Sequence, residues 1–312
     1  MQKRKILCGA LVLSCCLLTA CGQKEPELTG VNTGPIVTNY NMYITLNNSD
    51  PGGHEIMTSK DGTITYCDNL IDGITILSDK TNHSNEYVVP MEVDGKTVTK
   101  IGNSVYKNKG FTKVVIPDCI KIIDDMAFMD CVNLMEVVIG TDLIEIRECA
   151  FQNCYNLSSI TLNEGLFRLG KSAFSACYNL KSINLPNTIE NIDSYCFTNC
   201  GLTSVTIPEK LVVISPGVFM GCSDMQSVKF SGPVYLIDDK AFAECTTLVI
   251  DVPEMCEKVC LTSFENVRKV TVDEGIYCFP EELKYDGDFS EYENAEALRY
   301  YYNYTEKETT EE

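Results

Sequence analysis

Aromatic residues recur at Tyr106, Phe128, Phe151, Phe174, Phe197, Phe219, Phe242 and Phe264, in steps of 22 or 23 residues. Five residues before each aromatic stands a branched apolar residue: Ile101, Ile123, Ile146, Leu169, Ile192, Ile214, Ile237 or Val259. Three residues after six of them stands Cys131, Cys154, Cys177, Cys200, Cys222 or Cys245. A leucine or methionine follows, then an alternating pair such as Val137 and Ile139 or Ile183 and Leu185, which reads as one strand per unit. A unit this short cannot bury its own apolar face, so neighbours must stack and their equivalent side chains form interior columns. The expected fold is a repeat solenoid in the leucine-rich-repeat range, built of short stacked β-strands with turns or short helical turns on the convex side. The array is expected over residues 101–279.

The segments "FQNCYNLSSITL", "FSACYNLKSINLPNTIENI" and "FTNCGLTSVTIPEKLVVI" resemble the BspA-like leucine-rich repeats of bacterial surface proteins. The resemblance runs over roughly residues 86–272, and Val89-Pro90, Val93-Asp94-Gly95 and Val98 to Gly102 resemble the family's opening repeat. It implies surface display and, in some members, adhesion to host or neighbouring-cell proteins.

The two ends depart from the repeat. Lys3, Arg4 and Lys5 precede an apolar run from Ile6 to Leu18 that is too short for an ordinary membrane span, so residues 1–20 read as an export signal. Leu18-Thr19-Ala20-Cys21-Gly22 resembles the bacterial lipobox, which implies lipidation at Cys21 and an extracytoplasmic chain held to a membrane by lipid. The plainer alternative is an ordinary cleaved signal peptide. Residues 21–60 read as a lipidated N-terminus and tether. Residues 61–100, with strands at Thr63 to Cys67 and Gly73 to Leu77, read as an N-terminal cap and entry to the first repeat. Lys109 and Val267 replace the cysteine in the first and last units, as a capped array requires. Residues 280–312 form an acidic, tyrosine-rich tail, in which Ser290 and Glu293 suggest a capping box and a helix over residues 291–304.

The formal net charge of −19 argues against nucleic acid as a partner, since no basic patch exists to neutralise phosphates. The six column cysteines read as small buried hydrophobes, with neighbouring Cβ atoms a strand spacing apart, too far for ready disulfide formation. Cys196 and Cys256 fall at core positions of the unit. Any disulfide would draw on Cys67, Cys119, Cys149, Cys260 and Cys278. Cys256-x-x-x-Cys260 has no histidine nearby, so no metal is expected. Only His54 and His83 are present, and no nucleophile motif, phosphate loop or dinucleotide fingerprint accompanies them. Asp124-Asp125 and Asp238-Asp239 share one turn register and read as solvated turn residues rather than paired catalytic carboxylates. Asp286-Gly287-Asp288 opens like a calcium loop, but Glu291 and Ala297 stand where its glycine and glutamate belong. The reading is a protein without catalysis or cofactor.

Strand alternation turns one row outward, expected on the concave side: Lys113 and Val115, Glu136 and Val138, Ser159 and Thr161, Ser182 and Asn184, Ser204 and Thr206, Ser227 and Lys229, Lys269 and Thr271. Its centre is small and polar and lacks an aromatic anchor. The expected role is binding of extracellular or envelope proteins, of a host or neighbouring cell by family resemblance. The alternative is an envelope scaffold without an external ligand.

Overall fold

A computed structural model describes residues 55–69, 73–81, 83, 85–253, 256 and 258–272. Cys21, Cys278, the export signal and the helix expected over residues 291–304 lie outside them.

Most coils of the array carry two short strands, not the single strand read from the sequence. The first is the alternating segment: Glu86–Val88, Lys113–Ile116, Glu136–Ile139, Ser159–Ile160, Ser204–Ile207, Ser227–Phe230, Val249–Val252 and Lys269–Val272. The second is two residues long in most coils and contains the branched residue five before the aromatic, as in Ile122–Ile123, Glu145–Ile146, Arg168–Leu169, Asn191–Ile192, Val213–Ile214, Leu236–Ile237 and Lys258–Val259. Two residues hold too little alternation to announce a strand. All pairings between coils are parallel, and the register repeats: Lys113 faces Glu136, and Glu136 faces Ser159.

Both rows of strands are interrupted near the middle. Among the first strands, one sheet ends at Ser159–Ile160 and the next begins at Ser204–Ile207, while Lys181–Leu185 lies between them without a regular ladder. Ile183 and Leu185 nevertheless point inward there, and Ser182 and Asn184 are exposed. Among the second strands the interruption follows Asn191–Ile192.

The aromatic and cysteine columns form the core. Rings from Phe128 to Phe264 stack with centroids 5.2 to 5.8 Å apart. Phe128, Phe151, Phe174, Phe197, Phe219 and Phe242 are fully buried, as are Cys131, Cys154, Cys177, Cys222 and Cys245, with Cys200 nearly so. Backbone bonds run from coil to coil even at the turns: Phe151 N–H donates to the Ala173 carbonyl at 2.8 Å, and Phe174 N–H to the Cys196 carbonyl at 2.9 Å. The turn has a fixed shape. Residues two before and two after the aromatic are left-handed, such as Met126 and Asp130 around Phe128 (φ 56° and 63°), or Gly217 and Gly221 around Phe219 (φ 60° and 72°). That backbone region favours Gly, Asn and Asp, which explains Asn108, Asp130, Asn153, Asn199, Gly221 and Asn266 at the later position.

The thiols are more than small hydrophobes. Each donates to the carbonyl of the aromatic residue one coil back: Cys131 to Tyr106 (3.1 Å), Cys154 to Phe128 (3.3 Å), Cys177 to Phe151 (3.4 Å), Cys200 to Phe174, Cys222 to Phe197 and Cys245 to Phe219 (all 3.1 Å). The thiol therefore satisfies a buried acceptor while filling a small space. Burial pushes Cys131 and Cys245 up to about 12, and Cys154, Cys177 and Cys222 well above the ordinary thiol range. Every cysteine among the described residues is a free thiol.

At the N-terminal end, Ile64–Asn69 and Gly73–Asp79 form an antiparallel hairpin, and its second strand pairs in parallel with Lys96–Ile101. The hairpin thereby covers the edge of the second-strand sheet. Behind it the aromatic column ends in a polar plug. The buried Asp79 carboxylate accepts from the Tyr87 hydroxyl, the Tyr106 hydroxyl (3.0 Å), and the Thr81 amide and hydroxyl (2.8 and 2.6 Å). His83 packs edge-on against Tyr87, Tyr106 and Phe111, with Nε2 3.7 Å from Asp79 Oδ2.

Candidate binding face

The outward side chains of the first strands form the expected row. Ser159, Thr161, Ser182, Asn184, Ser204, Thr206, Ser227 and Lys229 are all exposed, and Glu136 is half-buried. Glu136 Oε1 lies 2.9 Å from Lys113 Nζ, so the row begins with a neutralised pair. The hydroxyls and amide from Ser159 to Thr206 make no hydrogen bond to the described protein. Their counterparts just outside the row behave differently. Ser158 donates to the Met135 carbonyl, Thr203 to that of Lys181, and Asn156 to that of Val132. The array thus uses polar side chains at its rim to tie coils together and leaves the serine, threonine and asparagine of the central face unengaged.

Toward the N-terminal end the second outward position turns apolar, with Val88 and Val138 exposed beside Val115. At the rim, where each chain enters its first strand, Val132, Met135, Tyr155 and Tyr178 are also exposed. Tyr155 and Tyr178 stack at 5.3 Å with 20° between ring planes. The sequence reading missed this aromatic pair, although its signal was the repeated Cys-Tyr-Asn-Leu of residues 154–157 and 177–180.

The carboxylates expected to be solvated are half-buried and also engage protein partners. Asp124 lies 2.7 Å from Lys100 Nζ and 2.9 Å from Arg147 Nη1. Burial alone would raise its pKa, but these two cations outweigh it and hold the carboxyl below the usual range. Arg147 also meets Glu145 at 3.0 Å, Glu145 meets Arg168 at 3.3 Å, and Arg168 meets Asp193. A ladder of alternating charge therefore crosses coils along the second strands. Asp125 accepts from the Glu148 amide, Asp239 accepts from the Thr262 hydroxyl, and Asp238, raised by burial, accepts from the Asp239 amide. These groups brace turns and coils, and the reason they were misread is that turn register alone does not show what stands 23 residues away.

Nothing in this arrangement assembles a reactive centre among the described residues. His83 faces Asp79 and three aromatic rings, and burial depresses its pKa. Cys119, Cys149 and Cys260 are pushed up by burial, away from thiolate reactivity. Among the described residues, no group of three His, Cys, Asp or Glu side chains is placed to hold a metal ion, and no helix is long and apolar enough to cross a membrane.

Stacked coils of two short parallel strands and a turn, lined by phenylalanine and cysteine columns, define a leucine-rich-repeat β-solenoid. The chain belongs to the BspA-type leucine-rich-repeat family, whose model matches residues 99–223 and 157–271 in six copies. Among solved structures it is similar to a leucine-rich-repeat protein of T. pallidum, with 24% identity and a TM-score of 0.52 over 64% of this chain and 90% of that one. It is also similar to a protein described as a leucine-rich cell surface protein of Faecalibacterium prausnitzii, with 21% identity and a TM-score of 0.48 over 70% and 76% of the two chains. No curated protein matches the sequence.

Proposed function

We propose that this protein is displayed outside the cell membrane, anchored by lipid on Cys21, and binds an extracellular or envelope protein without catalysing a reaction. Family membership and the lipobox resemblance support the location. The observation that carries the binding role is the row of exposed Ser159, Thr161, Ser182, Asn184, Ser204 and Thr206, whose polar groups have no partner within the described protein. Such groups, held on a rigid array, offer hydrogen bonds at small ordering cost. The half-exposed apolar and aromatic residues nearby add the area that bonds alone lack.

The test is capture of partners from an array of extracellular and envelope proteins by the chain from Gly22 onward. A second chain carries bulky charged residues at the six row positions. A specific hit lost in the variant supports the row, and a hit retained moves the contact to the rim or the tail. The absence of any hit favours an envelope scaffold. Radiolabelled palmitate uptake abolished by Cys21→Ala tests the anchor separately.

A further inference from the structure

Tyr155 and Tyr178 occupy the same place in successive coils, with ring centroids 5.3 Å apart and planes within 20°. They are the exposed tyrosines among the described residues, at 40% and 52%, whereas Tyr66, Tyr87 and Tyr106 are buried and Tyr195 and Tyr235 half-buried. Neither phenol hydroxyl makes a hydrogen bond to the described protein. A second close tyrosine pair, Tyr87 and Tyr106, has centroids 5.4 Å apart. That pair is buried, its planes are 56° apart, and both hydroxyls donate to Asp79. One pair is thus shielded and engaged, the other open and unengaged.

The rim holds the open pair in place. Asn179 N–H donates to the Tyr155 carbonyl (3.2 Å) and Asn179 Nδ2 to Asn156 Oδ1 (3.1 Å), so the two turns are tied together beside the rings. Nothing in the core demands the pair, since the equivalent position is Val132 one coil before and Gly201 one coil after. The pair also stands where a sheet of first strands ends: Ser159–Ile160 is its last strand, and Lys181–Leu185 follows without a regular ladder.

We propose that Tyr155 and Tyr178 form a site of oxidative cross-linking, joined as dityrosine by a peroxidase acting with hydrogen peroxide. Each phenol gives up one electron and one proton, leaving a radical whose unpaired spin is shared between the oxygen and the ring carbons beside it. A Cε of one ring bonds to a Cε of the other, and the hydrogens on those carbons pass to the two oxygens as the rings regain aromaticity. The two electrons and two protons removed reduce one peroxide to two waters. Proximity supplies what such coupling usually lacks, a partner ring already in reach. Near-parallel rings come to bonding distance by turns about χ1 and χ2, for which their exposure leaves room. The new bond fastens two coils at the seam in the sheet. This site is separate from the serine and threonine row, and its success or failure leaves the protein-binding reading untouched.

The experiment is treatment of the full chain with a peroxidase and hydrogen peroxide at about 1 μM protein, where the neighbouring ring, at an effective concentration of about 1 mM or more, outcompetes other chains. The monomeric product is digested, and linked peptides are mapped by mass and by dityrosine fluorescence. The expected product joins the Tyr155 and Tyr178 peptides with the loss of two hydrogen atoms. It should be lost in Tyr155→Phe and in Tyr178→Phe, which keep the rings and leave the fold as in the parent. Tyr87 and Tyr106 should stay unlinked. Three outcomes overturn the proposal: no peptide joining Tyr155 to Tyr178, whether or not other tyrosines couple; that link found only in covalent dimers; or a Tyr87–Tyr106 link of equal yield, which would show that exposure and open hydroxyls do not select the pair.

Discussion

The inward and outward columns of the same strands follow opposite rules. Inward, one residue type is repeated from coil to coil: phenylalanine on phenylalanine within 5.8 Å, thiol on carbonyl within 3.4 Å. Outward, no residue type persists through the array, and one column runs Val88, Val115, Val138, Thr161, Asn184, Thr206, Lys229 and Asp251. Stacking explains the first rule, because each coil offers its neighbour the same hole and only the same shape refills it. The outward column meets solvent, so nothing in the fold forces its sequence to repeat. The fold is therefore carried by what recurs, and the outward column is left free to vary.

The sharpest way to break this comparison is to empty an inward position. Phe174→Ala should cost about 3 to 5 kcal/mol, because the rings of Phe151 and Phe197 lie too close on either side for the gap to collapse. Urea unfolding gives the value directly, and an unchanged midpoint would mean that the aromatic column does not hold the array. Next comes the charge ladder. Glu145→Gln should cost about 2 to 4 kcal/mol, because the Glu145 side chain is only 3% exposed and its loss leaves Arg147 and Arg168 short of a buried counter-charge. Cys177→Ala should cost about 1 to 2 kcal/mol, losing both volume and the bond to the Phe151 carbonyl. If Cys177→Ser restores most of that loss, the hydrogen bond and not the sulfur volume sets the residue type.

How much of this was legible follows the same division. The period gave the solenoid and its aromatic and cysteine columns, because a constraint repeated in every coil is visible without any partner in hand. The second strand was not visible, since two residues such as Ile122–Ile123 hold no alternation. The ladder through Asp124, Glu145 and Arg168 was missed because its members lie in different coils and only stacking brings them together. The left-handed pair around each aromatic had a trace in Asn108, Asp130, Asn153 and Asn199, yet Met126 and Tyr195 adopt the same conformation with no such mark. Of the candidate binding face, strand alternation supplied the orientation, while the unengaged state of its central hydroxyls depends on contacts no pattern states.

The N-terminal plug offers a smaller test, read through pH. Burial pushes His83 below its ordinary value of 6.5, with Asp79 pulling the other way but not prevailing. The unfolded chain then binds a proton that the folded chain refuses, so stability is full above pH 6.5 and falls as pH drops below it. For Asp79, burial would raise the carboxyl, but hydrogen bonds from Thr81, Tyr87 and Tyr106 carry it below 3.8. Its contribution is present above pH 3.8 and is lost as pH falls further. Urea midpoints of His83→Phe should therefore flatten relative to the parent just below pH 6.5, and both should still decline below pH 3.8. A parent curve flat from pH 7 to pH 4 would show that His83 titrates freely and that the plug is open to water.

The smallest effect is expected where the comparison is most exposed to failure, in the stretch Lys181–Leu185. Ser182 and Asn184 point outward there without a regular ladder on either side. If outward positions carry recognition and not the fold, Ser182→Lys and Asn184→Lys should each change stability by no more than about 0.5 kcal/mol, while weakening any partner held by the row. The inward neighbours Ile183 and Leu185 lie one residue away on the same segment and are buried. Ile183→Ala should cost about 2 to 5 kcal/mol if the segment is held from inside alone. A Ser182→Lys penalty approaching that of Ile183→Ala would mean that the outward column also secures the coil, and the division between holding and binding would fail at the centre of the face.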